Sequence, residues 1–209
     1  MVHEWSYRAS RPASVVIFGH SFINHMEYEA RRRKGNYHNM GLDFSVANVN
    51  YVWDGGLTIS DAYYYYLDMV MAHQPDLVFI ELGTCDIGKI KYTAGEVGKQ
   101  LIRLAQELCY LGVKQVLLGK IIYRKHKGIP KKCPEINYKI SDCNRYLCVQ
   151  LDEEYSSNIK LWRHKGLWYA RKNVYFRDGI HLNRLGNLRL YRSIRAGLLK
   201  SLWQLMDTI

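Results

Sequence analysis

The chain has 209 residues, of which 48% are hydrophobic and 23% charged, and it contains only 4 prolines. This composition predicts one globular domain over residues 1–209, and it excludes disordered and fibrous proteins. The 30 Lys and Arg residues outnumber the 19 Asp and Glu residues, so the net charge is +11. Such a charge favours anionic partners without identifying which anion binds.

The apolar runs and the cysteines exclude further classes of protein. No apolar run approaches the about 20 residues that a membrane-spanning helix needs, and the N-terminus lacks the pattern of a secretory signal. We therefore expect an intracellular protein, cytoplasmic or nuclear, with no membrane span. The cysteines are odd in number and form no Cys-x-x-Cys pair, which predicts free thiols rather than disulfides or a zinc site. They are Cys85, Cys109, Cys133, Cys143 and Cys148.

Short apolar runs alternate with longer amphipathic segments along the chain, which predicts strands alternating with helices. The predicted strands are 15–18, 44–49, 77–82, 115–122 and 159–162. The predicted helices run from Ser60 or Asp61 to about residue 73, and over 94–111, 135–155 and 185–206. The basic stretches 31–41 and 124–134, interrupted by Gly or Pro, are predicted to be the least ordered.

Nearly continuous apolar strands separated by helices are typical of a parallel sheet that is covered on both faces. The predicted fold class is therefore α/β, a three-layer αβα sandwich of the flavodoxin-like type with a central, mostly parallel, five-stranded sheet. Four consecutive tyrosines, 63–66, lie in the first predicted helix. They span all sides of a helix, so at least two of them should pack against the core.

Ligands of an open parallel sheet bind outside the carboxyl ends of its strands, and polar residues follow several of these predicted strands. A serine, glycine-bearing loops and an Asp-x-x-His sequence are together the minimum set for acyl transfer by a serine nucleophile. The segments are Gly19-His20-Ser21, Asp54-Gly55-Gly56, Gly83-Thr84-Cys85-Asp86 and Asp178-Gly179-Ile180-His181-Leu182-Asn183.

These segments resemble, in order, the four sequence blocks of the SGNH, or GDSL, hydrolase superfamily. The first block, usually Gly-Asp-Ser, reads Gly-His-Ser here and ends at Ser21, and the last block is intact from Asp178 to Asn183. The resemblance covers residues 15 to about 186 and implies a carboxylic ester hydrolase, with an ester or an acetylated compound as its substrate. Neither a metal nor an organic cofactor is implied.

The resemblance also implies roles for individual residues. Ser21 corresponds to the nucleophile, His181 to its base and Asp178 to the partner of the histidine. The oxyanion hole would consist of the backbone N–H of Ser21, a second-block glycine that we assign to Gly56, and a third-block asparagine. That asparagine is replaced here by Cys85, and a thiol is a weaker hydrogen-bond donor than an amide. His20 departs from the usual aspartate, and it would either contact substrate or supply a donor.

The positive charge leaves a second interpretation open, in which a catalytically weak or inactive SGNH-like domain binds nucleic acid. It would then resemble the RNA-binding domain of the germ-plasm protein Oskar, which has a basic surface on this fold, and SGNH domains also occur in retrotransposon proteins. Two basic loops would supply the patch, although two solvated loops are the simpler explanation and no recognition motif accompanies them. The residues are Arg31, Arg32, Arg33 and Lys34 in one loop, and Arg124, Lys125, Lys127, Lys131 and Lys132 in the other.

Five further histidines lack the spacing of metal ligands, and we interpret them as surface or packing residues. They are His25, His38, His73, His126 and His164.

Overall fold

The computed structural model describes residues 11–125, 133–153, 158–167 and 172–207. Five strands form one sheet in the order β2-β1-β3-β4-β5, and every neighbouring pair is parallel. The strands are β1 (Ala13–Gly19), β2 (Ala47–Trp53), β3 (Leu77–Glu81), β4 (Gln115–Gly119) and β5 (Ile159–Trp162). The predicted fold class is therefore confirmed, and the sheet is entirely parallel.

Helices cover both faces of the sheet. They are α1 (Ser21–Arg31), α2 (Ile59–Asp61), α3 (Leu67–Met71), α4 (Thr84–Ile87), α5 (Ala94–Tyr110), α6 (Cys133–Glu153) and α7 (Arg184–Asp207). A π-helical segment, Ala62–Tyr66, joins α2 to α3. Within the described residues, no helix is both long and apolar enough to cross a bilayer.

Successive residues of β1 point to opposite faces, and this alternation divides the core in two. Val16 and Phe18 pack with α5 and α6, whereas Val15 and Ile17 pack with α1 and α7. These four side chains are fully buried. A strand buried on both faces needs apolar residues at every position, which is why its sequence is continuous rather than alternating.

The tyrosine run is placed as predicted. Tyr63 and Tyr66 pack against the core on the α5 side, whereas Tyr64 and Tyr65 are each 72% exposed.

The structure corrects three of the predicted elements. The second strand begins at Ala47 rather than Phe44, because Asp43 accepts hydrogen bonds from the backbone and hydroxyl of Ser45 and holds residues 43–46 in a turn. The fourth strand ends at Gly119 rather than at residue 122, because the Ile121 N–H bonds to the Asn144 side chain on α6 instead of a neighbouring strand.

The third correction concerns residues 21–41. Helix α1 occupies Ser21–Arg31 and was not predicted at all. The adjoining stretch, predicted to be poorly ordered, contains a short 3-10 helix, Asn36–Asn39, and the buried Asn39 side chain bonds to the backbone of Leu42, Ala47 and Val49. The second stretch of this kind lies mostly outside the described residues.

Candidate active site

Ser21 is the first residue of α1, immediately after the carboxyl end of β1. The turn between them requires Gly19, since a Cβ there would lie 2.6 Å from the Glu81 carbonyl oxygen and 2.7 Å from Ile23. His20 is the N-cap of the helix, and its Nδ1 accepts the Phe22 N–H at 3.4 Å. The hydroxyl of Ser21 is half-buried, at the helix end where the backbone dipole favours negative charge.

Asp178 and His181 form a hydrogen-bonded pair on the segment that precedes α7. The His181 Nδ1 lies 2.7 Å from Asp178 Oδ2, and the other carboxylate oxygen accepts the backbone N–H groups of Ile180 and His181 at 2.8 and 3.0 Å. Burial alone would raise the pKa of Asp178, but these three hydrogen bonds outweigh it and hold the pKa below its usual value. The ionised carboxylate therefore fixes the tautomer that leaves His181 Nε2 unprotonated and able to accept a proton.

The His181 ring lies against α1, the helix that starts at Ser21. Its centroid is 5.5 Å from that of His25, which is one helical turn beyond Ser21 and so shares its side of the helix. Burial lowers the pKa of His25, and the neighbouring His181 lowers it further. No sequence motif includes His25, although its spacing of four residues from Ser21 is a signal that could have identified it.

His20 is buried within this site. Burial, followed by the nearby charges of His181 and Arg124, lowers its pKa to about 3, so the ring is neutral at ordinary pH. Because Nδ1 accepts the Phe22 N–H, the proton of the neutral ring lies on Nε2. Among the described residues, Nε2 has no hydrogen-bond partner. Nδ1 also lies 3.5 Å from the Ser21 hydroxyl oxygen.

The third sequence block forms α4, which follows the turn at Gly83. Burial raises the pKa of the half-buried Cys85 thiol, and the adjacent Asp86 raises it further, so the thiol is neutral. Arg124 donates a hydrogen bond from Nη2 to the Thr84 carbonyl oxygen at 2.7 Å. Its charge influences both Cys85 and His20. Arg124, which we expected in a nucleic-acid patch, is therefore placed beside the candidate active site.

Gly56 lies in the exposed turn that follows β2, with a φ of +74°. Among the described residues, no atom lies within 4 Å of the position that a Cβ would occupy. The Asp54 N–H donates to the Gly19 carbonyl oxygen at 3.3 Å, which ties this turn to the end of β1 beside Ser21.

The basic residues at the end of α1 make contacts with their own segment. Arg31 pairs with Glu27 at 2.6 Å, and the guanidinium groups of Arg32 and Arg33 lie over the rings of Tyr28 and Tyr37. Lys34 is exposed. In the second predicted loop, Lys125 donates its backbone N–H to the Gly179 carbonyl oxygen at 2.8 Å. Lys127, Lys131 and Lys132 lie outside the described residues.

A second set of Ser, His and carboxylate side chains lies inside the molecule. His164 Nε2 is 2.8 Å from Glu81 Oε2, and its Nδ1 is 3.2 Å from the Ser193 hydroxyl. The three residues are between 1% and 6% exposed, so no substrate reaches this serine. A Cβ at Gly119 would lie 2.6 Å from the Glu81 carboxylate, which explains the glycine between them. These hydrogen bonds connect β3, the segment after β5 and α7 in the interior. His164 is therefore a packing residue.

The described part of the chain contains no cluster of three or more His, Cys, Asp or Glu side chains suited to a metal ion. The four cysteines whose side chains are described are free thiols, as predicted for them.

Several solved structures share this architecture. A GDSL-like lipase from Bacteroides thetaiotaomicron superposes with a TM-score of 0.70 at 15% identity, over 90% of this chain and 89% of that one. A lipase/acylhydrolase from Enterococcus faecalis gives 0.64 at 18% identity, over 89% and 95% of the two chains. An acetylxylan esterase from Geobacillus stearothermophilus gives 0.63 at 16% identity, over 90% and 94%.

No protein-family model matches the chain, and no curated protein matches it in sequence. The resemblance inferred from the sequence blocks is thus confirmed at the level of the fold, because similar structures cover about nine-tenths of the chain. The chain has the fold of the GDSL-like lipases and acylhydrolases.

Proposed function

We propose that this protein is a serine hydrolase that cleaves short-chain carboxylic esters, including acetyl esters, through an acyl-enzyme intermediate. The observation that carries the proposal is the position of the Asp178–His181 pair, whose imidazole ring lies against the helix that begins at Ser21. The fold adds support, because proteins that share it include a lipase/acylhydrolase and an acetylxylan esterase.

The proposed reaction begins with proton transfer from the Ser21 hydroxyl to His181 Nε2, while the serine oxygen attacks the ester carbonyl carbon. Asp178 holds the imidazole in the accepting tautomer and stabilises the imidazolium that forms. The same proton then passes to the departing alcohol, which leaves the acyl group on Ser21. Water, activated by His181 in the same way, releases the acid and regenerates the serine.

The oxyanion that forms at the carbonyl oxygen needs hydrogen-bond donors in fixed positions. We assign this role to the backbone N–H groups of Ser21 and Gly56, with the Cys85 thiol as a weak third donor. The position of Ser21 at the N-terminus of α1 favours negative charge there. Because a thiol donates poorly, we expect a slow enzyme rather than an inactive one.

Hydrolysis of p-nitrophenyl acetate by triad variants tests this function. Ser21→Ala and His181→Ala should each abolish turnover. Asp178→Asn should reduce kcat by up to about 10⁴-fold, because a triad histidine without its carboxylate partner adopts the wrong tautomer. Ser141→Ala, an exposed serine on α6, is the matched control and should retain full activity. Equal activity of the folded Ser21→Ala and wild-type proteins would contradict the proposal.

A further inference from the structure

Several basic side chains lie around β5, at the edge of the sheet away from β2. Two cavities lie beside this strand. The first, of about 380 Å³, is bounded by α6 and the segments that follow β4 and β5. The second, of about 610 Å³, lies between β5 and α7. Arg163 lines both cavities, so they adjoin at this residue.

The linings of the two cavities contain cationic side chains and, among the described residues, no Asp or Glu. We define the β5 basic surface by these six cations: Lys120, Arg145, Lys160, Arg163, Lys165 and Lys200. Within the described part of the chain, Arg145 forms an ion pair with Asp142, whereas Lys165 and Lys200 form none. Among the described residues, the positive charges of Lys165 and Lys200 are therefore not neutralised by an ion pair.

Like charges also lie close together on this surface. Burial lowers the pKa of Lys160, and the charge of the neighbouring Lys200 lowers it further. Two ammonium groups that repel each other destabilise the empty surface, and an anion placed between them relieves that repulsion. The arrangement therefore favours a ligand with more than one negative charge.

Aromatic and apolar groups accompany the charges. Tyr123 lines the first cavity and Trp162 lines the second, and Trp203 on α7 is 51% exposed next to Gln204 of the second cavity. A chain of phosphates with planar bases matches cations that alternate with aromatic rings. A single strand can turn its bases into separate cavities, whereas a duplex keeps its bases stacked inside.

We propose that the β5 basic surface binds single-stranded nucleic acid, with phosphates on its lysines and bases in the two cavities. None of its residues belongs to the candidate active site, so this binding goes beyond the proposed hydrolase activity and does not depend on it. Binding should be sequence-tolerant and salt-dependent, because phosphate contacts release condensed counterions.

Fluorescence anisotropy with a fluorescein-labelled oligothymidylate of about 20 nucleotides tests the proposal. The wild-type protein should bind it at low salt and release it as salt rises. The double variant Lys165→Glu with Lys200→Glu should weaken binding about tenfold or more and reduce the salt dependence. The matched control, Lys34→Glu with Lys99→Glu, has the same charge change on exposed residues outside both cavities, and it should bind like the wild type.

Three results would overturn the proposal. One is the absence of measurable binding by the wild type at low salt. Another is equal weakening by the two double variants, which would indicate a diffuse charge effect. The third is equal or tighter binding of a duplex of the same length. Ser21→Ala should bind the strand normally, and the Lys165→Glu, Lys200→Glu protein should hydrolyse p-nitrophenyl acetate normally, so failure of the binding proposal is distinguishable from failure of the hydrolase proposal.

Discussion

In the proposed oxyanion hole, Cys85 takes the place of the asparagine that the sequence blocks led us to expect, and it is where a single side chain should limit the rate. An amide donates a stronger hydrogen bond than a thiol, and losing one oxyanion donor costs about 10²- to 10³-fold in a serine protease. Cys85→Asn should therefore raise kcat for p-nitrophenyl acetate more than it changes KM, since the new bond is strongest in the transition state.

Cys85 could instead be a packing residue with no part in binding the oxyanion. If Cys85 only fills space, asparagine buries an unpaired amide and lowers the free energy of unfolding by roughly 1 to 3 kcal/mol. A lower melting temperature with no gain in kcat would contradict the assignment of the oxyanion hole. Should stability and rate both stay unchanged, the double variant His20→Ala with Cys85→Asn would show whether the buried Nε2–H of His20 already supplies the donor.

His20 should make the folded protein sensitive to acid. Its pKa is about 3 in the folded state and about 6.5 in an unfolded chain, so the unfolded state binds a proton first as the pH falls. The stability contributed by the neutral ring is complete above pH 6.5 and is lost progressively towards pH 3, by up to about 1.4 kcal/mol per pH unit.

Urea unfolding of the wild type and His20→Asn between pH 7 and pH 4 measures this effect. Asparagine is a good N-cap, so the variant keeps the cap of α1 while removing the titrating ring. The difference in unfolding free energy between the two proteins should shrink or reverse as the pH falls. If the free energies of unfolding of the two proteins change in parallel with pH, then His20 does not contribute to the acid sensitivity, because all other titrating groups are common to both proteins.

The sequence blocks singled out Ser21, Asp178 and His181 as candidate catalytic residues, because the chemistry of acyl transfer restricts which residue types follow the strands, and their roles stay predictions. They did not predict the positions of His25 and Arg124. The contact of Arg124 with Thr84 joins residues 40 positions apart, and no local pattern encodes it. A residue that reaches a site only through tertiary packing belongs to no local sequence motif, so the sequence alone does not reveal it.

At the scale of elements, the packing of α5 on α6 depends on a glycine that the strand and helix patterns did not single out. A Cβ at Gly98 would lie 2.5 Å from a ring carbon of Tyr146, whereas a Cβ at Gly95 of the same helix would meet no atom within 4 Å. Gly98→Ala should therefore lower the free energy of unfolding by about 1 to 3 kcal/mol. Gly95→Ala should raise it by about 0.4 to 1 kcal/mol.

Chemical denaturation of the two variants tests this contrast. Both substitutions are Gly to Ala in one helix, so they change helix propensity similarly, and the difference between them reports the contact with α6. If both substitutions raise the free energy of unfolding equally, then α6 moves away from the new methyl group without loss of stability, and the close contact at Gly98 does not require a glycine.

The errors in the predicted elements have local causes. The second strand was placed too early because Phe44 and Val46 are apolar, yet Asp43 turns the backbone there through Ser45. Helix α1 was missed because the glycine and serine at its start are also typical of a loop. Its buried residues Phe22, Met26 and Ala30, spaced four apart, were the signal for a helix.

At the scale of the whole molecule, alternating strands and helices were enough to predict the αβα sandwich. The central strands β1, β3 and β4 are mostly buried on both faces and therefore mostly apolar, which few other architectures require, whereas the edge strands β2 and β5 are only partly buried. The strand order and the location of the basic surface could not be predicted, because both depend on which segments meet in space. The basic loops at 31–34 and 124–132 stand out in the sequence, whereas the cations around β5 come from two helices, one strand and two loops and become neighbours only on folding.

The central claim is that Ser21 is an activated nucleophile, and labelling with a fluorophosphonate probe tests it without knowledge of the natural substrate. The wild-type protein should be labelled, peptide mass spectrometry should locate the label on Ser21, and folded Ser21→Ala should remain unlabelled. A folded wild-type protein that takes no label, or a label located on another serine such as Ser193, would contradict the account.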